Sequence, residues 1–318
     1  MMHPNHVLQR LALVAAFLLP LGAWADVPAS APNAGASYSA KGADTCLSCH
    51  DEEKINGLFH TRHGNPTDAR SPFGKGSLQC EACHGPGGNH TKKVKKGEKR
   101  SPMIRFGRDS ETPVVAQNAM CLGCHEKSVG SAWHAGAHEA NDVPCAACHS
   151  LHTTRDAVLA RSTQPEVCYT CHVSERSQFT KPYSHPVSVG KVACSDCHTP
   201  HGTTAEKQLV RSTVNDTCYE CHAEKRGPFL WEHAPVAENC DNCHAPHGAA
   251  NPGMVKMRGP ILCQSCHSQQ NHPSYPYGPS NLPGGGGPPV TTLAVGNCMN
   301  CHSQVHGSNH PSGSTLTR

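Results

Sequence analysis

The chain has 318 residues, with 27 lysines and arginines against 24 aspartates and glutamates and a formal net charge of +3. Aromatic residues make up only 5% of it, whereas there are 29 glycines, 26 prolines and 20 cysteines. A composition so poor in large apolar side chains excludes a conventional hydrophobic core for a chain of this length.

Residues 1–25 have the three parts of a secretory signal peptide. A short leader ending at Arg10 precedes an apolar run at residues 11–21, and Ala-Trp-Ala at 23–25 is a small–x–small cleavage site. The apolar run is shorter than the roughly 20 residues that cross a bilayer. We therefore expect export to the periplasm, with a mature chain that begins at Asp26 and has neither a lipid anchor nor a direct lipid span.

After an N-terminal extension at residues 26–45, the pentapeptide Cys-x-x-Cys-His occurs ten times within residues 46–318 and uses every cysteine. This is the attachment signal for haem c. Two thiols add to the vinyl groups of one porphyrin, and the next histidine becomes an axial ligand of its iron. The cysteines predicted to attach haem are Cys46, Cys49, Cys80, Cys83, Cys121, Cys124, Cys145, Cys148, Cys168, Cys171, Cys194, Cys197, Cys218, Cys221, Cys240, Cys243, Cys263, Cys266, Cys298 and Cys301. The predicted proximal ligands are His50, His84, His125, His149, His172, His198, His222, His244, His267 and His302.

Zinc ribbons and disulfide frameworks also use paired cysteines. Neither of them requires a histidine directly after the second cysteine in all ten pairs. We therefore predict ten covalently bound haem c groups as the cofactors. Because apolar side chains are scarce, we expect the porphyrins to form the core and the chain without them to be unfolded.

The motifs repeat in pairs along the chain. Arg-Ser-Thr precedes the motifs at both Cys168 and Cys218, and His-x-x-His marks the alternate motifs at His149, His198 and His244. This period predicts five two-haem units, here called units one to five, near residues 46–115, 116–160, 161–210, 211–255 and 256–318. Since each repeat contacts mainly its neighbours, we expect an elongated, quasi-linear stack of ten haems.

The predicted fold class is a multihaem cytochrome c that is mostly coil, with short α-helices and almost no β structure. Pro165 and Asp216 are good residues for a helix start, so we expect short helices after each. The basic run at residues 92–100 is either a solvated loop, the more ordinary interpretation, or a docking surface for an acidic partner. Nucleic acid is not an expected partner of an exported haem protein. Residues 275–290, which are rich in glycine and proline, predict a loop without an assigned function.

The second axial position distinguishes an electron carrier from an enzyme, because an open position would let a substrate reach the iron. Of the 25 histidines, two lie in the signal peptide and ten in the motifs, which leaves 13 for ten distal positions. Each unit has candidates between its two motifs and after its second motif. The predicted distal ligands are His63, His90, His138, His152, His185, His201, His233, His247, His272 and His306.

Three of these positions offer a choice between two histidines. His138, for example, precedes its next motif by the same spacing as His233 does. The alternatives are His60, His134 and His310 in place of His63, His138 and His306, respectively. The sequence does not decide which distal histidine serves which iron. Ten histidine pairs would saturate every iron, so we predict an electron-transfer protein with no catalytic residue rather than an enzyme.

Three segments carry a resemblance to a known family. They are CEACHGPGGNH at residues 80–90, the spacing between Trp133 and Cys145, and the tail CMNCHSQVHGSNHPSG at residues 298–313. Together with ten motifs after a signal peptide, they resemble the periplasmic decahaem cytochromes of the MtrA/MtoA/DmsE family. The resemblance covers essentially the whole mature chain, and the tail is its most specific part.

The resemblance implies a protein of the periplasm that is held at the outer membrane inside a β-barrel porin. Its other implied partners are periplasmic electron-carrier cytochromes and an outer-surface multihaem cytochrome or extracellular metal, for iron or manganese reduction or Fe(II) oxidation. The direction of electron flow is not readable from the sequence. The alternatives are a soluble periplasmic shuttle or donor to a terminal reductase, such as a sulfoxide reductase, and, less favoured, a multihaem oxidoreductase.

Overall fold

A computed structural model describes residues 27–267, 298–300, 302–311 and 313–317. In these residues the backbone is mostly turns and coil, and β structure is limited to four isolated bridges. The α-helices are α1 (Ala43–Leu47), α2 (Glu53–Asn56), α3 (Glu81–His84), α4 (Val114–Val129), α5 (Ala137–Ala140), α6 (Gln164–Tyr169), α7 (Val173–Phe179), α8 (Val214–Tyr219), α9 (Ala234–Glu238) and α10 (Gly259–Gln264). Single 3-10 turns lie at Gly57–His60, Ser131–Ala135, Cys145–Ala147, Ala157–Leu159, Cys194–Asp196, Glu206–Gln208, Ala223–Lys225, Cys240–Asn242, Pro252–Met254, Cys298–Asn300 and Gly313–Thr315.

The helices follow the two-motif period of the sequence. The first motif of each unit begins inside an α-helix, in α1, α4, α6, α8 and α10. The second motif of units two to five begins with a 3-10 turn instead. The predicted fold of mostly coil with short helices and haem-pair repeats is therefore confirmed.

Both helices predicted from start signals are present. Pro165 lies in the first turn of α6, which begins one residue earlier, at Gln164. Helix α8 begins two residues before Asp216, because the Thr213 hydroxyl caps it by accepting a hydrogen bond from the Asp216 N–H at 3.0 Å.

Helix α4 has 16 residues and is longer than the short helices that the sequence predicts. A buried polar side chain fixes it to the preceding loop. The Gln117 amide accepts from the N–H of Gly107 at 2.9 Å and donates to the carbonyl of Thr112 at 2.9 Å. These hydrogen bonds hold α4 in addition to the small apolar contact of its Ala116 and Met120.

The N-terminal extension packs against unit one. Asn33 donates to the carbonyl oxygens of His84 and Pro86, at 2.8 and 3.1 Å. The buried Glu81 carboxylate accepts from the backbone N–H and the hydroxyl of Ser39, at 2.9 and 2.7 Å. These contacts hold residues 31–39 across the loop that follows the second motif.

The apolar core is small. Its one cluster among the described residues consists of Ala31, Ile104, Ala116 and Met120, where the extension, the unit-one loop and α4 meet. Ordering a backbone costs about 1–2 kcal/mol per residue, which four side chains cannot offset for a chain of this length. None of the described helices is long and apolar enough to cross a membrane.

A chain produced without haem attachment should therefore fail to fold. We expect its far-ultraviolet circular dichroism to lack a cooperative thermal transition and its amide protons to exchange without protection. The haem-loaded protein, measured in the same buffer, is the control. A cooperative transition in the haem-free chain would contradict the conclusion that the polypeptide has no sufficient core of its own.

Candidate haem sites

Each Cys-x-x-Cys-His motif forms one helical turn. In nine of the motifs, the histidine N–H donates to the carbonyl of the first cysteine at 2.9–3.0 Å, and the remaining motif lies inside α4. Residues three and four positions apart share one face of such a turn. The two thiols and the imidazole of a motif therefore point to the same side of the backbone, as attachment of one porphyrin requires.

One cavity reaches all ten motifs. Its volume is about 5870 Å³, and the first cysteine and the histidine of every motif line it. Divided among ten groups, the space is roughly 600 Å³ each, within the range of ordinary pockets for small molecules and cofactors. The volume and the lining thiols fit ten covalently attached porphyrins.

The first thiols of the two motifs are neighbours within each predicted unit. In all five units they are close enough to shift each other's pKa: Cys46–Cys80, Cys121–Cys145, Cys168–Cys194, Cys218–Cys240 and Cys263–Cys298. Interaction with the Cys80 thiol lowers the pKa of Cys46 to about 7, and interaction with Cys46 raises the pKa of Cys80.

Thiols of neighbouring units also lie near each other. Burial, and after it the nearby Cys124 thiol of unit two, raises the pKa of Cys83 to about 11. The corresponding neighbours at the next three boundaries are Cys148–Cys171, Cys197–Cys221 and Cys243–Cys266. Neighbouring thiols within units and between units alternate from the first motif to the last, so the ten motifs follow one another in chain order.

Nine motif histidines face a second histidine across the cavity. The ring centres of each pair lie 5.9–6.4 Å apart. The pairs are His50–His90, His84–His152, His125–His63, His149–His201, His172–His138, His198–His247, His222–His185, His244–His306 and His267–His233. Two imidazole nitrogens that bind one metal at about 2 Å place their ring centres roughly 6 Å apart, so each pair leaves room for one iron.

The structure also separates the alternative histidines. His63, His138 and His306 line the cavity, whereas His60, His134 and His310 are not among its lining residues. The imidazole of His134 instead lies between two carboxylates, 2.9 Å from Glu126 and 3.0 Å from Glu139. Hydrogen bonds with Glu126 and then Glu139 raise its pKa.

Neighbouring units exchange histidines. The histidine between the two motifs of one unit faces the first motif of the following unit, as His138 of unit two faces His172 of unit three. The histidine after the second motif faces the second motif of the preceding unit, as His201 of unit three faces His149 of unit two. Only His90 faces a motif of its own unit among the described pairs.

The two histidines exchanged at a boundary are linked through a backbone carbonyl. The Nδ1–H of His138 donates to the carbonyl of Pro200, directly before His201, at 2.7 Å. The same bond joins His185 to Pro246 and His233 to Val305, at 2.8 and 3.0 Å. Because Nδ1 must carry the proton in such a bond, Nε2 is the nitrogen left to bind a metal.

A glycine after the distal histidine lets this loop approach the preceding unit. Gly202, which follows His201, has φ of 100°, and a side-chain carbon there would overlap the carbonyl oxygen of Ala132. The equivalent glycines are Gly248 beside the carbonyl of Gln178 and Gly307 beside the ring of Phe229. Sequence reasoning did not assign these glycines a role, although the His-Gly pairs were visible in the repeat.

Burial lowers the pKa of five distal histidines: His63, His152, His201, His247 and His306. Since a histidine coordinates metal through its neutral form, burial favours the state that binds iron. His272, which remains as the predicted partner of His302, lies outside the described residues, as does Cys301.

The two other uses of paired cysteines find no support in the described residues. The nineteen described cysteines are free thiols, not disulfides. In the same part of the chain, no group of three or more cysteine, histidine or carboxylate side chains converges as a zinc site requires.

A row of Cys-x-x-Cys-His turns around one cavity that is large enough for ten porphyrins defines a multihaem c-type cytochrome. Its cofactor is haem c. Comparison with known proteins agrees. The doubled CXXCH motif family matches residues 185–227 and 233–272, and the family of NrfB-like cytochrome c-type proteins matches residues 80–165.

Relatives extend the match to most of the chain. The multihaem cytochrome MtrA of Shewanella baltica is 47% identical over 284 residues, which are 89% of this chain and 83% of that protein. The cytochrome c-type protein NrfB of Escherichia coli is 31% identical over 150 residues, or 45% of this chain and 71% of NrfB. The chain belongs to the MtrA family of multihaem cytochromes, which are electron-transfer proteins.

The exchange of histidines predicts different effects for two neighbouring residues. In the haem-loaded protein, His138→Ala should convert one of ten low-spin ferric sites to high spin and allow one carbon monoxide to bind after reduction. The matched control, His134→Ala, should leave the electron paramagnetic resonance spectrum unchanged, because His134 faces Glu126 and Glu139. The opposite result would assign the distal position to His134.

Proposed function

We propose that the chain conducts electrons across the outer membrane, between the periplasm and the cell exterior, inside a β-barrel porin. The electrons would serve extracellular iron or manganese reduction, or come from Fe(II). The observation that carries this proposal is the single cavity that reaches all ten motifs, in which successive units face each other through histidine pairs in chain order. Such a file suits conduction from end to end better than chemistry at one centre.

The proposed iron ligands are the nine facing histidine pairs, with His272 and His302 as the tenth. Haem c supplies a one-electron ferric–ferrous couple at each motif. In the loaded protein each histidine pair would hold one haem iron and keep water and substrates away from it. An enzymatic alternative would need an open position, and the His302 site is the one whose predicted partner lies outside the described residues.

The proposed porin supplies what the chain cannot. Polar loops and haem propionates cannot lie in a hydrocarbon core of about 30 Å without a sheath. A file of ten porphyrins would be longer than this core, so its ends would reach carriers on both sides. Periplasmic cytochromes would meet one end, and an outer-surface cytochrome or a metal would meet the other. This proposal is supported by the family resemblance and by the order of the motifs along the cavity.

Binding to a porin distinguishes the proposed conduit from a soluble periplasmic shuttle with the same haems. We expect the affinity-tagged, haem-loaded chain to co-purify with an outer-membrane β-barrel from detergent-solubilised membranes. Liposomes that contain the pair should pass electrons from external dithionite to an enclosed viologen dye. Liposomes with the chain alone are the control. Recovery of the chain only from the periplasmic fraction, with no β-barrel bound, would favour the shuttle.

A further inference from the structure

The second motif of each unit carries a histidine whose Nδ1 is hydrogen-bonded, and unit two differs from the other four. In units one, three, four and five, the acceptor is a backbone carbonyl: Ile104, Lys207, Gly253 and Thr315, at 2.8, 2.9, 2.8 and 2.6 Å. In unit two, His149 bonds instead to the carboxylate of Asp156, at 2.7 Å. Of the five second-motif sites, one therefore has a charged acceptor at the Nδ1 of its proximal histidine.

The residue types and backbone of the turn that follows the histidine account for the difference. In units three and four, the acceptor lies nine residues after the histidine, at Lys207 and Gly253, whose left-handed φ values of 54° and 70° turn the carbonyl inward. The acceptor in unit two lies only seven residues after His149. In all three units a 3-10 turn begins eight residues after the histidine, and the residue before that turn is Asp156 in unit two but Ala205 and Asn251 in units three and four. The aspartate side chain therefore takes the place of the carbonyl.

The Asp156 carboxylate is held firmly where it is. Its side chain is 11% exposed, and it also accepts from the backbone N–H groups of Ser150 and Val158, at 3.3 and 3.4 Å. It thereby caps the 3-10 turn Ala157–Leu159. Among the described residues, no lysine or arginine forms an ion pair with it, so its negative charge acts mainly on the imidazole.

We propose that Asp156 lowers the reduction potential of one haem, the one ligated by His149 and His201. A carboxylate draws the Nδ1 proton more strongly than a carbonyl does and so makes the imidazole a stronger electron donor to iron. Stronger donation stabilises ferric over ferrous iron, and hydrogen bonding around the ligand is a known control of potential. Asp156 is thus a positioning and tuning residue that acts through His149.

This inference rests on the proposed ligation by His149 and His201. Its consequence is a fixed step in the free energy of the electron at the fourth position of ten. Every electron that passes along the file meets this step, whichever direction it travels.

Asp156→Asn tests the inference in the haem-loaded protein. Asparagine keeps the shape and can still cap the turn, but it removes the charge. In a potentiometric titration followed by haem absorbance, about one tenth of the total change should move to higher potential. We expect at least a tenfold change in the oxidised-to-reduced ratio of that haem at a fixed potential, roughly 59 mV for one electron.

The matched control is Asp142→Asn, three residues before Cys145 of the same motif. Asp142 is exposed and has φ of 51°, which asparagine tolerates. Removing this charge should leave the titration unchanged. Superimposable curves for wild type and Asp156→Asn, or equal shifts for both variants, would overturn the inference. The low-spin site count of the wild type tests the proposed ligation separately.

An independent observation concerns the basic run at residues 92–100. Lys92, Lys93, Lys95 and Lys96 are exposed, form no ion pair among the described residues and are not among those that line the haem cavity. Lys99 and Arg100, by contrast, do line it. The two later cations therefore belong to the haem cavity, and the four lysines form a separate patch, here called the lysine patch.

Hydrogen bonds hold the lysine patch beside the first haem site, that of His50 and His90. Arg100 donates to the carbonyl oxygens of His90 and Lys92, at 2.8 and 2.9 Å, and the His90 Nδ1–H donates to Ser101 at 2.7 Å. His90 faces His50, which is itself exposed. The Glu98 carboxylate lies in the same loop and accepts from the Lys95 backbone N–H at 3.1 Å. The four lysines therefore leave a net positive charge beside the terminal site at which electrons can enter or leave.

From this placement we infer that the lysine patch docks an acidic redox protein at the first haem. Complementary charge raises association rates and is screened by salt. This inference depends on electron transfer through the first haem but not on the porin.

Stopped-flow reduction of the haem-loaded protein by flavodoxin hydroquinone, an acidic probe, tests the lysine patch. At low ionic strength, Lys96→Glu should slow the second-order rate several-fold, and salt should remove the difference. Lys181→Glu makes the same charge change at an exposed lysine outside the cavity lining and should have little effect. Equal slowing by both variants, or none by either, would overturn the docking site. A wild-type protein that flavodoxin cannot reduce would instead count against exchange through the first haem.

Discussion

The facing of imidazole rings across unit boundaries is the constraint on which the rest of the structure depends. A unit such as unit three does not complete its own sites, because His172 faces unit two and His198 faces unit four. Each boundary is crossed twice, in opposite directions, so neighbouring units hold each other. This arrangement takes the place of the apolar core, which among the described residues is limited to the small cluster around Ile104.

The polypeptide is organised to make that exchange precise. A helical turn orients each motif, a carbonyl before one distal histidine fixes the ring of the other, and glycines such as Gly202 allow the loops to meet closely. The same device appears at three successive boundaries with nearly equal distances. After His149, the residue before the 3-10 turn is an aspartate, and the hydrogen-bond acceptor changes from a carbonyl to a carboxylate, so one residue of the loop also sets the electrostatics of a site.

Much of this arrangement could be predicted from the sequence, because covalent chemistry demands a fixed pentapeptide and short helices follow capping rules. The placement of nine candidate distal histidines on the cavity follows from the same repeat. The partners could not be predicted, because the histidine that faces His84 belongs to the next unit and only the folded chain brings His152 to it. The length of helix α4 could not be predicted for a different reason. The buried amide of Gln117 anchors this helix, and its sequence has no apolar periodicity that would indicate a long helix.

The exchange pattern has a consequence for the ancestry of such proteins. In every interior unit, one histidine faces a motif of the following unit and another faces a motif of the preceding unit. His90, by contrast, faces a motif of its own unit, the first. Duplication or deletion of an interior unit would consequently leave the facing histidine pairs at the remaining boundaries intact. The number of two-haem units can therefore change during evolution one unit at a time. Gene duplication, without other changes to the fold, would set the distance over which electrons are carried.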